Sequence, residues 1–422
     1  MKFNKWTMGL AAIGVVSLAS VARADETKMS QVETALSNTT LSGYVDTSAQ
    51  WNIGSQNGGA TPGSIGLYGY GAGKADGFNL NAIDLALDKP LDESPWAAGY
   101  HVELMFGPDS PASSTGEAYG DNTGTRNNTG YNSYFSVPNY IRQAYVTLRT
   151  PVADTGIDWK IGVWDTIIGY ESSSDPLNPN YTRSYGYTVE PTTHTGILAT
   201  YRANDMVSVS AGIADGSQVN VVQFGTVGPA PINGRAALES QKAYMAAVAL
   251  TAPDSWGWMK GATVNAGIID AIDSGNGTFQ GTTSFYAGAT VPTPMTALKV
   301  GAAFDYLDLH NAHHGGGNSD SSLWNVGLYA NFQANDKLSF NGRAEHLDVN
   351  GSKIAADEFT ATVQYALWAN VLTRAEIRWD HVEHGTAFDN AANAGNGAGQ
   401  NPNGFGIHDN AFLVALNVIY QF

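Results

Sequence analysis

The 422-residue chain contains no cysteine, which removes disulfide frameworks, thiolate metal sites and thiol nucleophiles together. Charge is scarce: 14% of residues are Asp, Glu, Lys or Arg, against about 25% in an average chain. Basic residues are scarcer still, 21 against 38 acidic, for a net charge of −17. A surface of that sign repels phosphate backbones, so no nucleic-acid partner is expected. Long apolar runs are also missing beyond the N-terminus, so helical membrane spans are not expected. What is present is 43% hydrophobic residues, including 20 Tyr, 15 Phe and 10 Trp, and 48 Gly against 16 Pro. That much apolar and aromatic content argues against intrinsic disorder.

The first 24 residues read as a secretory signal. Lys2 and Lys5 make a positive start, Gly9 to Ala22 is apolar, and Ala22-Arg23-Ala24 supplies small residues for cleavage. The apolar run is shorter than the roughly 20 residues a membrane helix needs. Losing Lys2, Lys5 and Arg23 takes the net charge from −17 to −20. Residues 25–40 are polar and read as a periplasmic extension, leaving 41–422 for the folded body.

Hydrophobicity in that body alternates with the period of two that places successive side chains on opposite faces of a strand. Phe412, Val414, Leu416, Val418, Tyr420 and Phe422 share one face. Arg374, Glu376, Arg378 and Asp380 alternate with Ala375, Ile377 and Trp379. The pattern predicts sixteen strands, near 41–54, 78–89, 97–107, 141–151, 157–169, 194–203, 206–214, 242–252, 259–271, 282–291, 296–309, 321–333, 337–349, 359–368, 371–382 and 410–422.

The connections alternate too. Even strands are followed by short turns such as Ala203-Asn204-Asp205 and Ala334-Asn335-Asp336, made of turn-forming residues. Odd strands lead into long polar segments at 55–77, 108–140, 170–193, 215–241, 272–281, 310–320, 350–358 and 383–409. An even strand count with a short-turn end and a long-loop end predicts an all-β fold, a transmembrane antiparallel β-barrel with periplasmic turns and extracellular loops. A soluble β-sandwich would alternate as well, but it needs no aromatic enrichment at strand ends. Here Trp51, Tyr68, Tyr70, Tyr100, Trp159, Trp256, Trp258, Trp324, Tyr365 and Trp379 fall at or near them. The glycines Gly162, Gly267, Gly301, Gly327 and Gly342 are expected to permit tight curvature.

Three stretches carry a family likeness: Ile167-Ile168-Gly169-Tyr170-Glu171, Asn180-Tyr181-Thr182-Arg183-Ser184 and Pro191-Thr192-Thr193-His194-Thr195-Gly196. Together with Ser42-Gly43-Tyr44-Val45-Asp46, Phe78-Asn79-Leu80-Asn81 and Gln143-Ala144-Tyr145-Val146, they resemble the OmpL-like β-barrel porin family of the porin-2 type. The likeness is clearest over 41–215, and later strands share it by pattern. It implies a channel in the outer membrane of a Gram-negative bacterium, surrounded by outer-membrane lipid. The aromatic C-terminus, Phe422, is common in such barrels and implies recognition by barrel-assembly machinery. Homotrimers are frequent among barrels of this size.

Sixteen strands enclose a water-filled channel, with selectivity set by inward charges and by any loop folded inside. Turning the polar faces inward lines the wall with basic Arg149, Lys160, Lys299, Arg343, Arg374 and Arg378. The acidic wall residues are Asp46, Asp84, Glu103, Asp305, Glu345, Glu376 and Asp380. Arg374 and Arg378 stand about 13 Å apart along one strand. The loop 170–193 carries Glu171, Asp175 and Glu190 with Arg183 as its one basic residue. In porins of similar strand count the third loop makes the constriction, and an acidic loop facing an arginine wall would set a transverse field. The alternative is local pairing, Arg343 with Glu345 and the run Arg374, Glu376, Arg378, Asp380 within itself.

Enzyme-like motifs are weak. Gly69-Tyr70-Gly71-Ala72-Gly73-Lys74 is glycine-rich, but it lacks the spacing and the strand-to-helix setting of a phosphate loop. His310, His313 and His314, and His381, Glu383 and His384, cluster in long-loop regions where no rigid element fixes a metal geometry. No metal, cofactor or catalytic residue is therefore expected. The sequence points to a passive porin for small hydrophilic solutes or ions. Two alternatives stand: a plugged or surface-binding barrel acting through its long loops, and a substrate-specific transporter.

Overall fold

The computed structural model describes residues 38–53, 74, 76–109, 141–152, 155–216, 242–272, 279–311, 321–350, 354–384 and 410–422. The leader at 1–24, the extension up to residue 37, Tyr68, Tyr70, His313, His314 and most of the long loops lie outside them.

Sixteen strands run in chain order: β1 (Thr40–Ile53), β2 (Gly77–Lys89), β3 (Ala98–Phe106), β4 (Ile141–Thr150), β5 (Ile157–Asp165), β6 (Thr193–Arg202), β7 (Val207–Ala214), β8 (Lys242–Thr251), β9 (Thr263–Ile272), β10 (Phe279–Pro292), β11 (Leu298–Asn311), β12 (Ser321–Gln333), β13 (Leu338–Val349), β14 (Ile354–Trp368), β15 (Val371–His384) and β16 (Asn410–Gln421). Each pairs antiparallel with its neighbours in sequence, and β1 pairs with β16 to close the barrel. Closure satisfies every ladder without an edge, which hydrocarbon demands because it offers no water to a free N–H. The seam ends on a reciprocal pair: Gly43 N donates to Phe422 O at 3.1 Å, and Phe422 N to Gly43 O at 3.0 Å.

The two faces follow the sequence alternation. Phe412, Leu416, Val418 and Tyr420 point out with Phe340, Phe359, Val363 and Ile377. Ala411, Leu413, Ala415, Asn417 and Ile419 point in and are buried. Exposed Trp96, Trp256, Trp258 and Trp368 sit at the short-turn end, where amphipathic rings favour a membrane interface. At the other end Phe359, Trp379 and Phe412 form a stacked outer cluster. The short turns repeat one device: Asn204 Oδ1 accepts the backbone N–H groups of Met206 and Val207, and Asn335 Oδ1 those of Lys337 and Leu338. A side-chain carbonyl thus reverses the chain without backbone strain.

Three strand boundaries differ from expectation. β9 starts at Thr263 because Asp254–Met259 coils into a 3-10 turn. β14 starts at Ile354, earlier than 359, which moves Glu358 from an expected loop into the wall. β5 stops at Asp165, and Ile167 and Ile168 leave the sheet to bury their side chains inside the barrel.

Candidate functional site

Residues 166–192, here L3, join β5 to β6 and fold into the barrel. L3 carries a 3-10 turn (Asp175–Leu177) and a short helix α1 (Tyr185–Val189) capped by Ser184, whose hydroxyl accepts Tyr187 N at 2.9 Å. Its base packs on an apolar floor: Ile167, Ile168 and Tyr170 meet Leu198, Ala243, Met245, Ile269, Ala303 and Tyr329. Tyr170 stacks on Tyr329 with ring centroids 4.0 Å apart and shares a hydrogen bond with Thr290 at 3.0 Å. The inner wall is therefore not uniformly polar. Over β6 to β9 it is small and apolar where L3 lies on it.

Opposite this floor, the charged sector of β13 to β15 grips L3 directly. Arg343 Nη1 donates to Glu171 Oε1 and to Thr182 O, both at 2.8 Å, and its Nε faces Glu358 at 3.2 Å and Glu345 at 3.4 Å. Arg378 pairs with Asp380 at 2.7 Å and donates to Arg183 O at 2.6 Å. Arg374 donates to the carbonyls of Asp175 and Asn178. The carboxylates take the opposite backbone groups. Glu376 accepts Tyr181 N at 2.5 Å and Thr182 N at 2.9 Å, and Glu345 accepts Tyr185 N at 2.7 Å and Gly186 N at 3.2 Å. Glu345 thereby satisfies two N–H groups that open α1 and have no partner within the helix. Asp380 accepts the Tyr185 hydroxyl at 2.7 Å.

L3 folds inward onto the arginine wall, and wall and loop are in direct contact. Local pairs are present as well, Arg378 with Asp380 and Arg343 with Glu345 at 3.4 Å, although Arg343 lies closer to Glu171 and Glu358. Arg374 and Glu376 divide their hydrogen bonds between L3 backbone and the wall residues Gln364 and Thr362. Within L3, Arg183 pairs with Asp175 at 2.5 Å. Asp46, Asp84, Glu103, Asp305, Glu345, Glu376 and Asp380 are all buried. The other basic residues lie away from L3. Arg149 pairs with Asp158 at 2.6 Å and reaches Asp92 O in a short turn, Lys160 lies over the Tyr145 ring, and Lys299 is half-buried near the short-turn end.

A family model described as "Putative beta-barrel porin-2, OmpL-like" matches residues 38–422. The chain belongs to that family. It is an outer-membrane porin by family, and its barrel superposes on solved porins at low identity. The outer membrane channel DcaP of Acinetobacter baumannii aligns with a TM-score of 0.55 and 10% identity over 93% of this chain and 100% of that one. OmpT of Vibrio cholerae gives 0.52 and 12% over 93% and 100%. The anion-selective porin from Comamonas acidovorans gives 0.52 and 13% over 91% and 99%. No curated protein sequence matches the chain.

Several residues that hold the porin's L3 were not anticipated. Glu358 was hidden by the expected strand start. Arg142 sits at a register slip between β3 and β4, which turns both Arg142 and Gln143 inward. Arg142 bridges Glu103 at 2.5 Å and Asp165 at 2.7 Å. The aromatic hydroxyls of Tyr44, Tyr181 and Tyr185 carry no sequence signal of their own, but all three lie in or beside the segments that carry the family likeness. The lysine of the glycine-rich stretch, Lys74, is a buried partner of Asp109 at 2.6 Å. Of the histidine clusters, His381 bonds Asn410 at 3.1 Å on the outside of the barrel, and Glu383 is exposed.

The glycines also have a different reason. Gly162 adopts φ of 134° where a Cβ would strike the carbonyl of Ala144, a backbone demand. Gly267 and Gly301 instead leave room for L3: a Cβ on Gly267 would stand 2.6 Å from Ile168, and one on Gly301 would overlap the Tyr170 hydroxyl. Gly301→Leu should therefore expel Tyr170 and destabilise the packed loop by about 1–3 kcal/mol, the usual cost of overpacking. Gly342, which faces outward with room to spare, should accept Ala without change. Thermal midpoints in detergent compare the two.

Glu190 lies at the end of L3 beside Asp305. Burial raises its carboxyl well above the ordinary glutamate range, and the Asp305 charge raises it further. A proton on Glu190 would give Asp305 a donor beside the Asn325 amide. A raised folded-state value means the stabilisation is complete at low pH and is lost as pH rises through that value. Glu190→Gln keeps a donor at all pH values. It should abolish the loss, so that the thermal midpoint of wild type falls below that of the variant as pH rises through the raised Glu190 value, while at lower pH the two converge.

Proposed function

We propose that the protein conducts small hydrophilic solutes or ions passively across the outer membrane and that L3 sets the limiting cross-section. The observation that supports this reading is the clamp: the guanidinium bonds to L3 carbonyls and the carboxylate bonds to L3 amides both come from side chains buried on one sector of the wall. A loop bonded through its own backbone keeps one shape whatever its side chains do, which suits a fixed aperture. The proposal assigns no catalytic residue and no cofactor. It places the half-buried Lys160 and Lys299 in a water-filled vestibule at the short-turn end, with the residues of the clamp at the constriction. A homotrimer is part of the proposal, since OmpT, which shares the fold, is described in a trimer form. Recognition of Phe422 by the assembly machinery belongs to it as well.

A second reading has its own observation: side chains along L3 from Tyr181 to Pro191 are buried without exception, as in a plugged barrel. Planar-bilayer recording of the purified protein separates the two. Stable steps of open conductance support the channel, whereas an intact barrel that inserts and does not conduct supports the plug.

A further inference from the structure

Beside the arginine clamp, where Arg374 holds the Asp175 carbonyl, three acidic side chains from distant parts of the chain converge. Oxygen atoms of Asp46 on β1, Asp109 just past β3 and Asp175 in L3 lie within 4.8 Å of one another. None of the three residues is more than 3% exposed. A bulge assembles them. The β1–β2 register slips between Asp46 and Thr47, leaving Asn81 unpaired in the ladder. Its amide donates to Asp46 Oδ1 at 2.8 Å, and its carbonyl accepts Asp109 N at 3.1 Å. Bulges commonly re-aim side chains in this way. Asp175 is delivered by L3, where its backbone N–H donates to the Tyr44 hydroxyl at 3.2 Å.

The protein supplies part of what these carboxylates need. Lys74 Nζ takes Asp109 Oδ2 at 2.6 Å, Arg183 takes Asp175 Oδ1 at 2.5 Å, and the amides of Asn81 and Asn417 share Asp46 Oδ1. Asp109 Oδ1 and Asp175 Oδ2 have no hydrogen-bond partner among the described residues. A buried acceptor left bare costs about 1–3 kcal/mol, and more when it is charged. Two bare oxygens on neighbouring carboxylates repel each other besides. A positive ion between them removes both penalties.

We propose that a divalent cation, Ca²⁺ by its flexible coordination, binds among Asp46, Asp109 and Asp175 with Asp109 Oδ1 and Asp175 Oδ2 as ligands, tying L3 to the wall at the β1 side. Ca²⁺ accepts irregular sets of oxygen ligands at about 2.4 Å, whereas Mg²⁺ demands near-octahedral geometry and gives up its water reluctantly, which a buried site requires. Oxygens of the three groups lie within 4.8 Å of one another, close enough to share one ion. Carboxylate oxygens without thiolate or imidazole are the donors that hard cations select. The inference rests on where L3 lies and not on whether the barrel conducts.

Terbium luminescence of the full-length protein folded in detergent tests it, with Tb³⁺ as the probe and Tyr44 and Tyr181 as sensitising rings beside the site. The expected result is one sensitised site per barrel, displaced by Ca²⁺ at about 1 mM or below. Asp109→Asn and Asp175→Asn should each weaken binding roughly tenfold or more, since each removes a charged ligand. Asp254→Asn, at an exposed ion pair with Lys260, should leave it unchanged. Lys74→Met removes the competing ammonium and should tighten binding. Absence of a sensitised site in the wild type, or unchanged binding in either Asn variant with its barrel intact by circular dichroism, overturns the proposal. Should the Asn variants fail to fold, Lys74→Met decides: tighter binding supports the site, and unchanged or weaker binding overturns it.

Discussion

Arg343→Met lowers the stability of the folded barrel by about 3–5 kcal/mol, the range for removing one member of a buried ion-pair network. The guanidinium is fully buried and faces three carboxylates, those of Glu171, Glu345 and Glu358, none of which has more than 1% of its side chain exposed. Methionine fills much of the volume but leaves those charges together without a counter-ion. They must then take up protons or draw in water, and either response detaches Glu171 and with it the start of L3. Urea unfolding in detergent should show a lowered midpoint, and bilayer recording should show larger and noisier conductance. Arg343→Met combined with Glu358→Gln should recover part of the loss, because one of the stranded charges is gone. A single variant as stable as wild type would mean that water already reaches the network.

Much of the barrel was legible because a membrane sheet writes a strong period into its strands. All sixteen strands overlap the stretches where alternation places them, with the ends of β5, β9 and β14 moved, and the seven residues expected as acidic wall are buried. What alternation does not encode is which inward residues meet water. Ala243, Met245 and Ile269 alternate like any other inner positions; they are the floor under Ile167, Ile168 and Tyr170. Glu171 and Arg343 are 172 positions apart, and nothing local links them. The same holds for Asp46, Asp109 and Asp175: the bulge at Asn81 that joins two of them is a one-residue slip between strands, invisible to a pattern that reads each strand alone. The likeness around residues 167–196 pointed to L3 itself, but a family resemblance does not say which face of the loop a side chain takes.

Replacing residues 172–188 by a short Gly-Ser link has a larger effect on conductance than Arg343→Met and a smaller effect on stability. The contrast follows from hydration. In the point variant the carboxylates lose a partner and stay dry under L3. In the excised barrel Arg343, Arg374, Arg378, Glu345, Glu358, Glu376 and Asp380 lose their L3 contacts but face water, which hydrates them at little cost. Their own pairs, Arg343 with Glu358 and Arg378 with Asp380, survive on the wall. The strand ladders close without any L3 residue, so the excised barrel should still fold and resist heat in detergent. Its single-channel conductance should rise several-fold, since sixteen strands enclose an aqueous lumen once nothing crosses it. With three guanidiniums and four carboxylates on the uncovered sector, ion preference should stay weak and shift modestly toward cations, measured as a small reversal potential in a salt gradient. Unchanged conductance after excision would move the limiting aperture out of L3, and the bonds between L3 and the wall would then serve stability alone.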